Sequence, residues 1–408
     1  MEISTCVKYV GVNDHQVDLF EGQYKVPNGM SYNSYVILDE KIAVMDTVDG
    51  FFTEEWLNNV EQVLSGKTPD YLVIQHMEPD HSASIPAFLK KYPNATVVST
   101  AKGFQFMEQF FPEFFAGQGL PAEQRIVAAN DGVLELGQHS LHFVYAPMVH
   151  WPEVTFTYEE TEKVLFSADA FGTFGVLNGS VFADDVDYEE EYIPSFRKYY
   201  ANIVARYGMQ VQMALKKVEK LDVEYLCSLH GPVFRRKEDI AGITDLYRKW
   251  ASWEPEEQSV SIFFASPYGN TAMAAQILAG KLAAKGVKNL KLVDLCSSSI
   301  TEAFPEVLRR SHMVLAAVTM NMGLNPVMNA FLDLCHEMDV QNRTIAIVGN
   351  SSWAPNVSGK LMMEKVQTWK KCTVLGEPVH ISSAPADDDT LEKLAGLIAD
   401  DIMKEKKA

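Results

Sequence analysis

The chain of 408 residues contains no apolar run that reaches the ~18–20 residues needed to cross a membrane. Its first residues carry neither the basic flank nor the apolar core of a secretion signal. Cysteine is scarce: five are scattered with no C-x-x-C pair, which argues against a disulfide framework or an all-cysteine iron site. Basic residues are in deficit, and the net charge of −19 argues against nucleic acid, whose phosphates would be repelled. We therefore expect a cytoplasmic protein with reduced thiols that binds neither membranes nor nucleic acid.

What the chain does have is a dense group of metal-capable side chains. His76, Glu78, Asp80 and His81 fall within six residues, directly after the apolar run 71–74, which is predicted to be a buried strand. Three later apolar runs, at 141–149, 163–168 and 223–229, each end at a further candidate, and these are His150, Asp169 and His230. Grouped histidines and carboxylates are the recognised signal of a metal site, so we expect all seven at one edge of a sheet.

The number and type of these candidates indicate more than one metal ion. Four imidazoles and three carboxylates are too many for one tetrahedral zinc, and they suit two ions about 3.5–4 Å apart that share a carboxylate. The motif resembles that of the metallo-β-lactamase superfamily, whose hydrolases carry H-x-H-x-D-H, whereas this chain reads H-x-E-x-D-H with Glu78 at the second position. The glutamate adds a hard oxygen ligand, which favours iron over a closed structural zinc site, although zinc accepts the same donors.

A break in the pattern divides the chain into two predicted domains, residues 1–253 and 254–408, as the length also suggests. The segment 249–257 combines a proline with a cluster of charges. Beyond it, strands and helices alternate, which predicts a parallel sheet with helices on both faces. The predicted strands are 260–265, 290–295, 313–319, 344–348 and a weaker one from 373, and the predicted helices are 271–285, 302–310, 326–337, 357–369 and 391–404.

Three loops follow the first, third and fourth of these strands, where a ligand binds at the switch point of a doubly wound sheet. Their candidate residues are Ser266, Pro267, Tyr268, Gly269, Asn270 and Thr271; Thr319, Met320, Asn321, Met322, Gly323 and Leu324; and Gly349, Asn350, Ser351, Ser352 and Trp353. The first loop opens a helix with hydroxyl, amide and glycine residues, and such a helix N-terminus attracts phosphate. This half resembles flavodoxin, and the first loop resembles its FMN phosphate loop.

The resemblance implies that Trp353 lies against the isoalloxazine ring of FMN; a core aromatic is the alternative. Flavodoxin domains of this kind usually have a glycine-rich third loop, and here Ser352, Ala354, Pro355 and Asn356 stand in place of its small residues.

Together the halves resemble the flavodiiron proteins, and the resemblance covers essentially the whole chain. It implies a metallo-β-lactamase-like αββα sandwich followed by a flavodoxin-like doubly wound sheet. It also implies one iron ion held by His76, Glu78 and His150, another held by Asp80, His81 and His230, and Asp169 as the bridge between them. Members of the family reduce dioxygen to water, nitric oxide to nitrous oxide, or both. Many are head-to-tail dimers, or dimers of dimers, that receive electrons from a rubredoxin. The chain ends after the flavodoxin-like half, so we expect the minimal class.

Two other functions remain open at this stage. A dinuclear zinc hydrolase would use the same ligands but would have no evident use for a flavodoxin-like domain. An electron carrier with a purely structural metal site would not need Glu78 and Asp80.

Arg197, Tyr199 and Tyr200 are candidate proton donors by residue type, with an amphipathic helix as the alternative account. The acidic run 184–191 is expected to be a solvated loop. The other histidines are expected to be surface or structural residues: His15, His139, His142, His312, His336 and His380.

Overall fold

The computed structural model describes residues 1–115, 120–385 and 389–405. The chain forms two compact units, Met1–Arg248 and Lys249–Ala408. The domain boundary at 253/254 stays a prediction. Among the described residues, no helix is both long enough and apolar enough to cross a membrane.

The first unit contains two β-sheets. Its strands are β1 (Val7–Tyr9), β2 (Val12–Asp14), β3 (Leu19–Phe20), β4 (Tyr24–Lys25), β5 (Met30–Tyr32), β6 (Tyr35–Ile37), β7 (Ala43–Met45), β8 (Tyr71–Val73), β9 (Thr96–Ser99), β10 (Arg125–Val127), β11 (Val133–Glu135), β12 (Ser140–Tyr145), β13 (Thr155–Glu159), β14 (Val164–Phe166) and β15 (Tyr225–Cys227). In the part of the chain that the structure describes, one sheet has the order β1-β6-β7-β8-β9-β10 and the other β11-β12-β13-β14-β15. Two short ribbons, β2 with β5 and β3 with β4, complete the unit.

The helices of this unit are α1 (Thr53–Leu64), α2 (Pro79–Ser82), α3 (Ile85–Lys91), α4 (Ala101–Phe110), α5 (Pro112–Phe115), α6 (Tyr188–Glu191), α7 (Ile193–Tyr199), α8 (Gly208–Val218) and α9 (Lys237–Ala251), the last of which runs across the division between the units. A π-helical turn, Tyr200–Val204, follows α7. The core lies between the sheets, where Ile37, Phe143 and Phe166 are almost completely buried. Outside the sheets, Trp56 of α1 packs on Phe88 of α3 with ring centroids 5.7 Å apart.

Strand direction brings the ligand candidates to one end of both sheets. β7 and β8 are parallel, as are β14 and β15, so the loops that follow them leave from the same edges. The predicted strand 141–149 is wrong in its second half, because β12 ends at Tyr145. Pro147 has no N–H to continue the ladder, and His150 therefore lies in the turn between β12 and β13.

The segment 184–191 is largely exposed, as predicted, but the prediction of a loop is wrong because much of it is helical. Residues Ala183–Asp185 form a 3-10 turn, and Asp187 then caps α6 by accepting a hydrogen bond from the backbone N–H of Glu190 at 3.3 Å. Arg235 pairs with Asp184 at 2.9 Å, which neutralises part of the charge that the sequence presents as a continuous acidic run.

The second unit is a doubly wound sheet. Its strands are β16 (Glu257–Ala265), β17 (Lys291–Asp294), β18 (Arg310–Met320), β19 (Gly323–Leu324), β20 (Thr344–Asn350), β21 (Thr373–Val374) and β22 (Val379–Ile381). Its helices are α10 (Asn270–Ala284), α11 (Ile300–Ala303), α12 (Pro305–Arg309), α13 (Pro326–Glu337), α14 (Val357–Val366) and α15 (Asp389–Glu405). The described strands have the order β17-β16-β18-β20-β21, with β22 also paired to β20, and all of these pairs are parallel. Helices α10 and α15 pack on one face, while Phe331 of α13 packs on Phe263 from the other at 4.7 Å.

Two predicted elements of this unit are each interrupted, the helix at a proline and the strand at a glycine and a proline. The predicted helix 302–310 is two short helices, α11 and α12, with Pro305 at the start of the second, and Arg310 already belongs to β18. The weak strand from 373 is two strands, β21 and β22, separated by Gly376 (φ +67°) and Pro378.

Candidate functional site

The loop that follows β8 is held in place by a buried carboxylate, Asp46, which is not itself one of the candidate ligands. Asp46, at the end of β7, accepts hydrogen bonds from the backbone N–H of Gln75 (2.8 Å) and from its side-chain amide (2.9 Å). Its φ of +53° and its complete burial show that the surrounding structure holds it in a costly conformation. The loop then turns into α2, which begins at Pro79 and presents Asp80 and His81 from its first turn.

One group of ligand candidates surrounds one oxygen of Asp169. Asp169 Oδ2 lies 3.1 Å from His150 Nε2 and 3.3 Å from His76 Nε2. Glu78 Oε2 closes the group, at 3.1 Å from His150 Nε2 and 3.2 Å from His76 Nε2. These four residues can direct one ligand atom each toward a common point.

A second group surrounds the other oxygen of the same carboxylate. Asp169 Oδ1 lies 3.2 Å from His81 Nε2 and 3.7 Å from His230 Nε2. Asp80 Oδ2 lies 3.3 Å from each of these nitrogens, and the two nitrogens are 3.0 Å apart. The structure therefore brings all seven sequence-predicted residues together as two groups that share Asp169.

The charges of the cluster are strongly coupled. Burial would raise the pKa values of Asp169 and Glu78, but the neighbouring imidazoles hold both well below their usual range. Burial lowers the pKa of His150, whereas hydrogen bonds to Asp169 and Glu78 outweigh it and raise that pKa to about 9. The pKa of His76 is likewise raised well above its ordinary value, against burial, chiefly by the charge of Asp169. Without metal ions, protons on the imidazoles thus balance the carboxylates, and divalent ions would replace those protons.

Unsatisfied polar atoms test whether metal ions fit this cluster. Both carboxylate oxygens of Asp80, one oxygen of Asp169 and Nδ1 of His81 are buried without a hydrogen-bond partner. Buried polar atoms are rarely left unpaired, and each costs about 1–3 kcal/mol when it is. A cation within the second group would satisfy the carboxylate oxygens and would account for the close approach of the nitrogens of His81 and His230. The cluster is compatible with a dinuclear metal site.

Two residues that orient the ligands were not predicted from the sequence. Glu153, which is 2% exposed, accepts from Nδ1 of His76 at 2.8 Å and from the backbone N–H of Met77 at 2.9 Å. The backbone carbonyl of Ser31 similarly accepts from Nδ1 of His230 at 2.7 Å. Each contact turns the Nε2 atom toward Asp169, as outer partners of metal-binding histidines commonly do. A lone glutamate and a backbone carbonyl have no sequence signal, although the position of Glu153 three residues after His150 is a weak hint.

The predicted proton donors differ in their distance from the cluster. Arg197, Tyr199 and Tyr200 are all buried, and the ring of Tyr199 lies 5.6 Å from that of His230. Burial, and next the charge of Asp169, raise the pKa of Tyr199 well above its ordinary value, so its phenol stays protonated. Tyr200 packs on Tyr247 instead, with centroids 5.0 Å apart.

A cavity of about 350 Å³ opens onto Glu78 and Asp80. Its wall includes the aromatic rings of Phe20 and Tyr32, and the side chain of Phe51 at its edge is 97% exposed. This is a route by which a small molecule could reach the two groups.

In the second unit, the first predicted loop has the form of an anion site. Ser266 Oγ accepts from the backbone N–H of Ala272 at 3.0 Å, and α10 begins at Asn270. Gly269 has φ +88°, and none of the described residues beyond its chain neighbours places an atom within 4 Å of the position of a Cβ, so the space above the helix start is open to that extent. Tyr268 beside it is 95% exposed, whereas Thr271 is buried.

The second loop is a tight hairpin rather than an open loop. Thr319 and Met320 still belong to β18 and pair with β19, so Asn321 and Met322 alone form the turn, both with positive φ (+51° and +60°). A two-residue turn with two left-handed residues has type I′ geometry. Met320 and Met322 are about half exposed at the same sheet edge as the first loop.

The third loop is tied to the strand beside it. His380 Nε2 bonds Ser351 Oγ at 2.9 Å, the backbone N–H of Ser351 donates to Ile381 O at 3.1 Å, and Asn350 Nδ2 donates to Ser383 O at 2.9 Å. His380 therefore has the structural role predicted for it. The loop presents Ser352 and Trp353 to solvent, and Trp353 is 72% exposed.

Not all candidates of this loop face the open side. Gly349 and Asn350 belong to β20, and Gly349 packs against the start of α14. The exposed aromatic side chains of Tyr268 and Trp353 nevertheless follow β16 and β20, the strands on either side of β18, at the sheet edge where α10 begins. Large exposed apolar side chains near a helix N-terminus indicate a ligand site. This site suits a ligand with a planar ring and a phosphate.

Comparison with known proteins agrees with both halves. Residues 30–231 match the family described as ODP family beta lactamase. An uncharacterized protein of Methanocaldococcus jannaschii is 30% identical over 81% of this chain and 80% of its own. A protein of Moorella thermoacetica named nitric oxide reductase is 28% identical over 92% of this chain and 91% of its own.

Solved structures cover the whole chain. The rubredoxin oxygen:oxidoreductase of Desulfovibrio gigas superposes with a TM-score of 0.91, at 27% identity and with 100% of both chains covered. The flavodiiron protein of Giardia intestinalis gives a TM-score of 0.90, at 26% identity, over 99% of this chain and 96% of that one. The predicted fold class, a metallo-β-lactamase-like sandwich followed by a flavodoxin-like sheet, is thereby confirmed. By sequence, by fold and by the motif H-x-E-x-D-H, this chain belongs to the flavodiiron protein family.

Proposed function

We propose that this protein reduces dioxygen to water, nitric oxide to nitrous oxide, or both, at a non-haem diiron site that receives electrons from FMN. The observation that carries the proposal is the convergence of four imidazoles and two further carboxylates around the two oxygens of Asp169. The names of two similar proteins, a nitric oxide reductase and a rubredoxin oxygen:oxidoreductase, support both substrates.

The proposal assigns a task to each half of the chain. Residues 1–253 form the diiron domain, with His76, Glu78 and His150 on one iron and Asp80, His81 and His230 on the other. Asp169 would serve both irons, because its two oxygens face different groups. Residues 254–408 bind FMN, with its phosphate at the start of α10 and its ring beside Trp353.

Bound iron would act as a Lewis acid and an electron donor to the small substrate. The protein's own side chains do the rest. Glu153 and the carbonyl of Ser31 keep two imidazoles in the tautomer whose Nε2 faces the centre. Three carboxylates would offset three of the four charges of two divalent ions, and the protonated phenol of Tyr199 is available as a hydrogen-bond donor next to His230.

The electron inventory matches the proposed substrates. Two ferrous ions and one FMN hydroquinone supply four electrons together, which is the requirement for reducing dioxygen to two waters. Coupling two nitric oxide molecules to nitrous oxide requires two. We propose a rubredoxin-type protein as the external donor and a head-to-tail homodimer as the functional form. The cytoplasmic location stays a prediction.

The first test is the metal and flavin content of protein purified anaerobically from iron-supplemented cells, followed by assays of dioxygen and nitric oxide consumption. We expect two irons and one FMN per chain, with turnover of at least one of the two gases. Two zinc ions, little FMN, hydrolytic activity and no reductase activity after loading with iron would instead identify a dinuclear zinc hydrolase.

A bridging-residue variant sharpens the test. Asp169→Ala should lose both irons, or all reductase activity, while FMN stays bound. Asp184→Ala, which removes a carboxylate paired with Arg235 away from the cluster, is the matched control and should keep both cofactors. Full iron content and activity in Asp169→Ala would refute the bridging assignment.

A further inference from the structure

A second group of metal-capable side chains lies at the opposite end of the first unit from the Asp169 cluster. Cys6 precedes β1, His139 precedes β12 and Glu162 precedes β14, whereas the Asp169 cluster follows the C-terminal ends of the parallel strands. One ligand atom of each of these three side chains lies within 4.8 Å of those of the other two. We call this group the Cys6 cluster.

The contacts within the Cys6 cluster are close and shielded from water. Cys6 is 4% exposed, and its sulfur lies 3.0 Å from Oε2 of Glu162. The same oxygen accepts from the backbone N–H of Cys6 at 3.1 Å and from the hydroxyl of Ser4. These hydrogen bonds explain why Ser4 and Cys6 sit beside Glu162, but they do not explain His139, which arrives from a separate turn.

His139 is oriented as a metal-binding histidine would be. Asp39 Oδ2, on a side chain that is 4% exposed, lies 3.0 Å from His139 Nδ1 and also accepts from its backbone N–H at 2.8 Å. Because a carboxylate oxygen can only accept, Nδ1 is the donor in this contact, and Nε2 is the ring nitrogen left to face a metal ion.

The charge at the Cys6 cluster is not balanced by a basic side chain. Among the described residues, no Lys or Arg pairs with Glu162, and Lys8 nearby contacts the backbone carbonyls of Ser4 and Thr5 instead. The Cys6 thiol donates to Glu162 Oε2 at 3.0 Å while no cation is bound. A divalent cation would remove that proton to solvent and would neutralise the thiolate and the carboxylate together.

We propose that Cys6, His139 and Glu162 form a second metal site that takes a borderline divalent cation of the zinc class, with water completing its coordination. Thiolate, imidazole and carboxylate are the donors that zinc uses, and three of them with one open position are enough for a tetrahedral ion. Such an ion would join the N-terminal segment to the turns before β12 and β14. The site does not depend on the diiron assignment, because it shares no residue with the Asp169 cluster.

Sulfur identifies the site, because the Asp169 cluster contains no cysteine. The protein loaded with iron and FMN is equilibrated with zinc at buffered micromolar concentration, and zinc per chain is measured by mass spectrometry. X-ray absorption at the zinc edge should then show one sulfur neighbour at about 2.3 Å. We expect one zinc beyond the irons in the native protein, and no sulfur neighbour in Cys6→Ser.

Three further variants keep the test decisive if Cys6→Ser fails to fold. His139→Gln should weaken zinc binding more than Asp39→Asn, for which loss of an outer partner predicts a decrease of about 10–100-fold. His142→Gln is the matched control, because His142 lies three residues from His139 and pairs with Glu160 outside the cluster. No zinc beyond the irons, or zinc with only nitrogen and oxygen neighbours, would overturn the proposal. Neither result would alter the iron content or the gas consumption that test the proposed function.

Discussion

Glu153 offers the sharpest test of how this chain holds its metal centre, because it touches a predicted ligand and would not touch iron itself. Its carboxylate accepts from His76 Nδ1 at 2.8 Å and from the backbone N–H of Met77 at 2.9 Å, in a place that is 2% exposed. Glu153→Gln keeps the size and one acceptor but removes the charge.

The magnitude follows from those two hydrogen bonds. A hydrogen bond to a charged group contributes about 1.5–3 kcal/mol and a neutral one about 0.5–1.5 kcal/mol, so Glu153→Gln should weaken each bond by about 1–1.5 kcal/mol. Only the bond to His76 acts directly on a metal ligand, so we expect iron binding to lose about 1–1.5 kcal/mol. That equals roughly a tenfold loss of iron affinity, at the lower end of the 10–100-fold range for outer partners of metal ligands. Glu153→Ala leaves two buried N–H groups unpaired and should cost about 2–6 kcal/mol, part of it as folding stability.

The assay is anaerobic competition between the protein and an iron chelator, with FMN content measured on the same samples. FMN should stay unchanged in Glu153→Gln. The matched control is Glu159→Gln, because Glu159 is also fully buried and accepts two backbone N–H groups, from Thr161 and Glu162. Glu159→Gln should lower folding stability without changing iron affinity. If Glu153→Gln held iron within twofold of the native protein, Glu153 would not be an orienting partner of His76.

Three other predictions concern the flavin loops and pH. Asn270→Asp adds a negative charge at the start of α10, where the helix dipole tolerates it, so folding stability should hold while affinity for FMN falls about tenfold or more by repulsion of the phosphate. His380→Ala removes the hydrogen bond that ties down the third loop and should weaken FMN binding, measured by fluorescence titration. In metal-free protein, His150 is buried, but hydrogen bonds to Asp169 and Glu78 raise its pKa from 6.5 to about 9. Protonated His150 therefore stabilises the fold fully below pH 6.5, and this stabilisation is lost as the pH rises through about 9. Urea unfolding below pH 6.5 and above pH 9 would measure the difference in the free energy of unfolding.

Each of these has a control. Asn329→Asp adds the same charge within α13, away from the first loop, and should leave FMN affinity unchanged; equal losses in both variants would mean that net charge, not the phosphate, is responsible. His380→Gln retains a hydrogen-bond donor and should restore part of the affinity. Iron-loaded protein should not lose stability between the two pH values, because iron would occupy the nitrogen that the proton holds. A metal-free protein equally stable at both would contradict the assigned pKa.

The sequence predicted the parts of the centre that are encoded locally. The segment from His76 to His81 carries four candidates in one loop, and three more lie at or near strand ends, so strand direction was enough to bring them to one edge. His150 shows the limit of that reasoning. The strand before it ends at Tyr145 because of Pro147, and a turn rather than the strand end places the imidazole.

The outer partners could not be predicted because their contacts are long-range. Asp46 precedes the loop that carries His76 in the sequence, and Glu153 follows it. Both form hydrogen bonds with this loop, and neither belongs to a spacing pattern. For the same reason the sequence predicts only a surface or structural role for His139. Its neighbours in space, Cys6 and Glu162, are neighbours only after both sheets have formed.

The third flavin loop shows how a departure from a family pattern can leave a fold intact. Glycine is favoured where φ is positive, but residues 351–355 all have negative φ, and Asn356, a residue type that tolerates this conformation, takes the one left-handed position at φ +55°. Hydrogen bonds from His380 and to Ile381 hold the loop in place of glycine-rich packing. Loss of the glycines therefore does not argue against a flavin beside Trp353. The loop is instead held by hydrogen bonds to β22, the strand next to it. A substitution at His380 should therefore affect flavin binding, although no motif marks that residue.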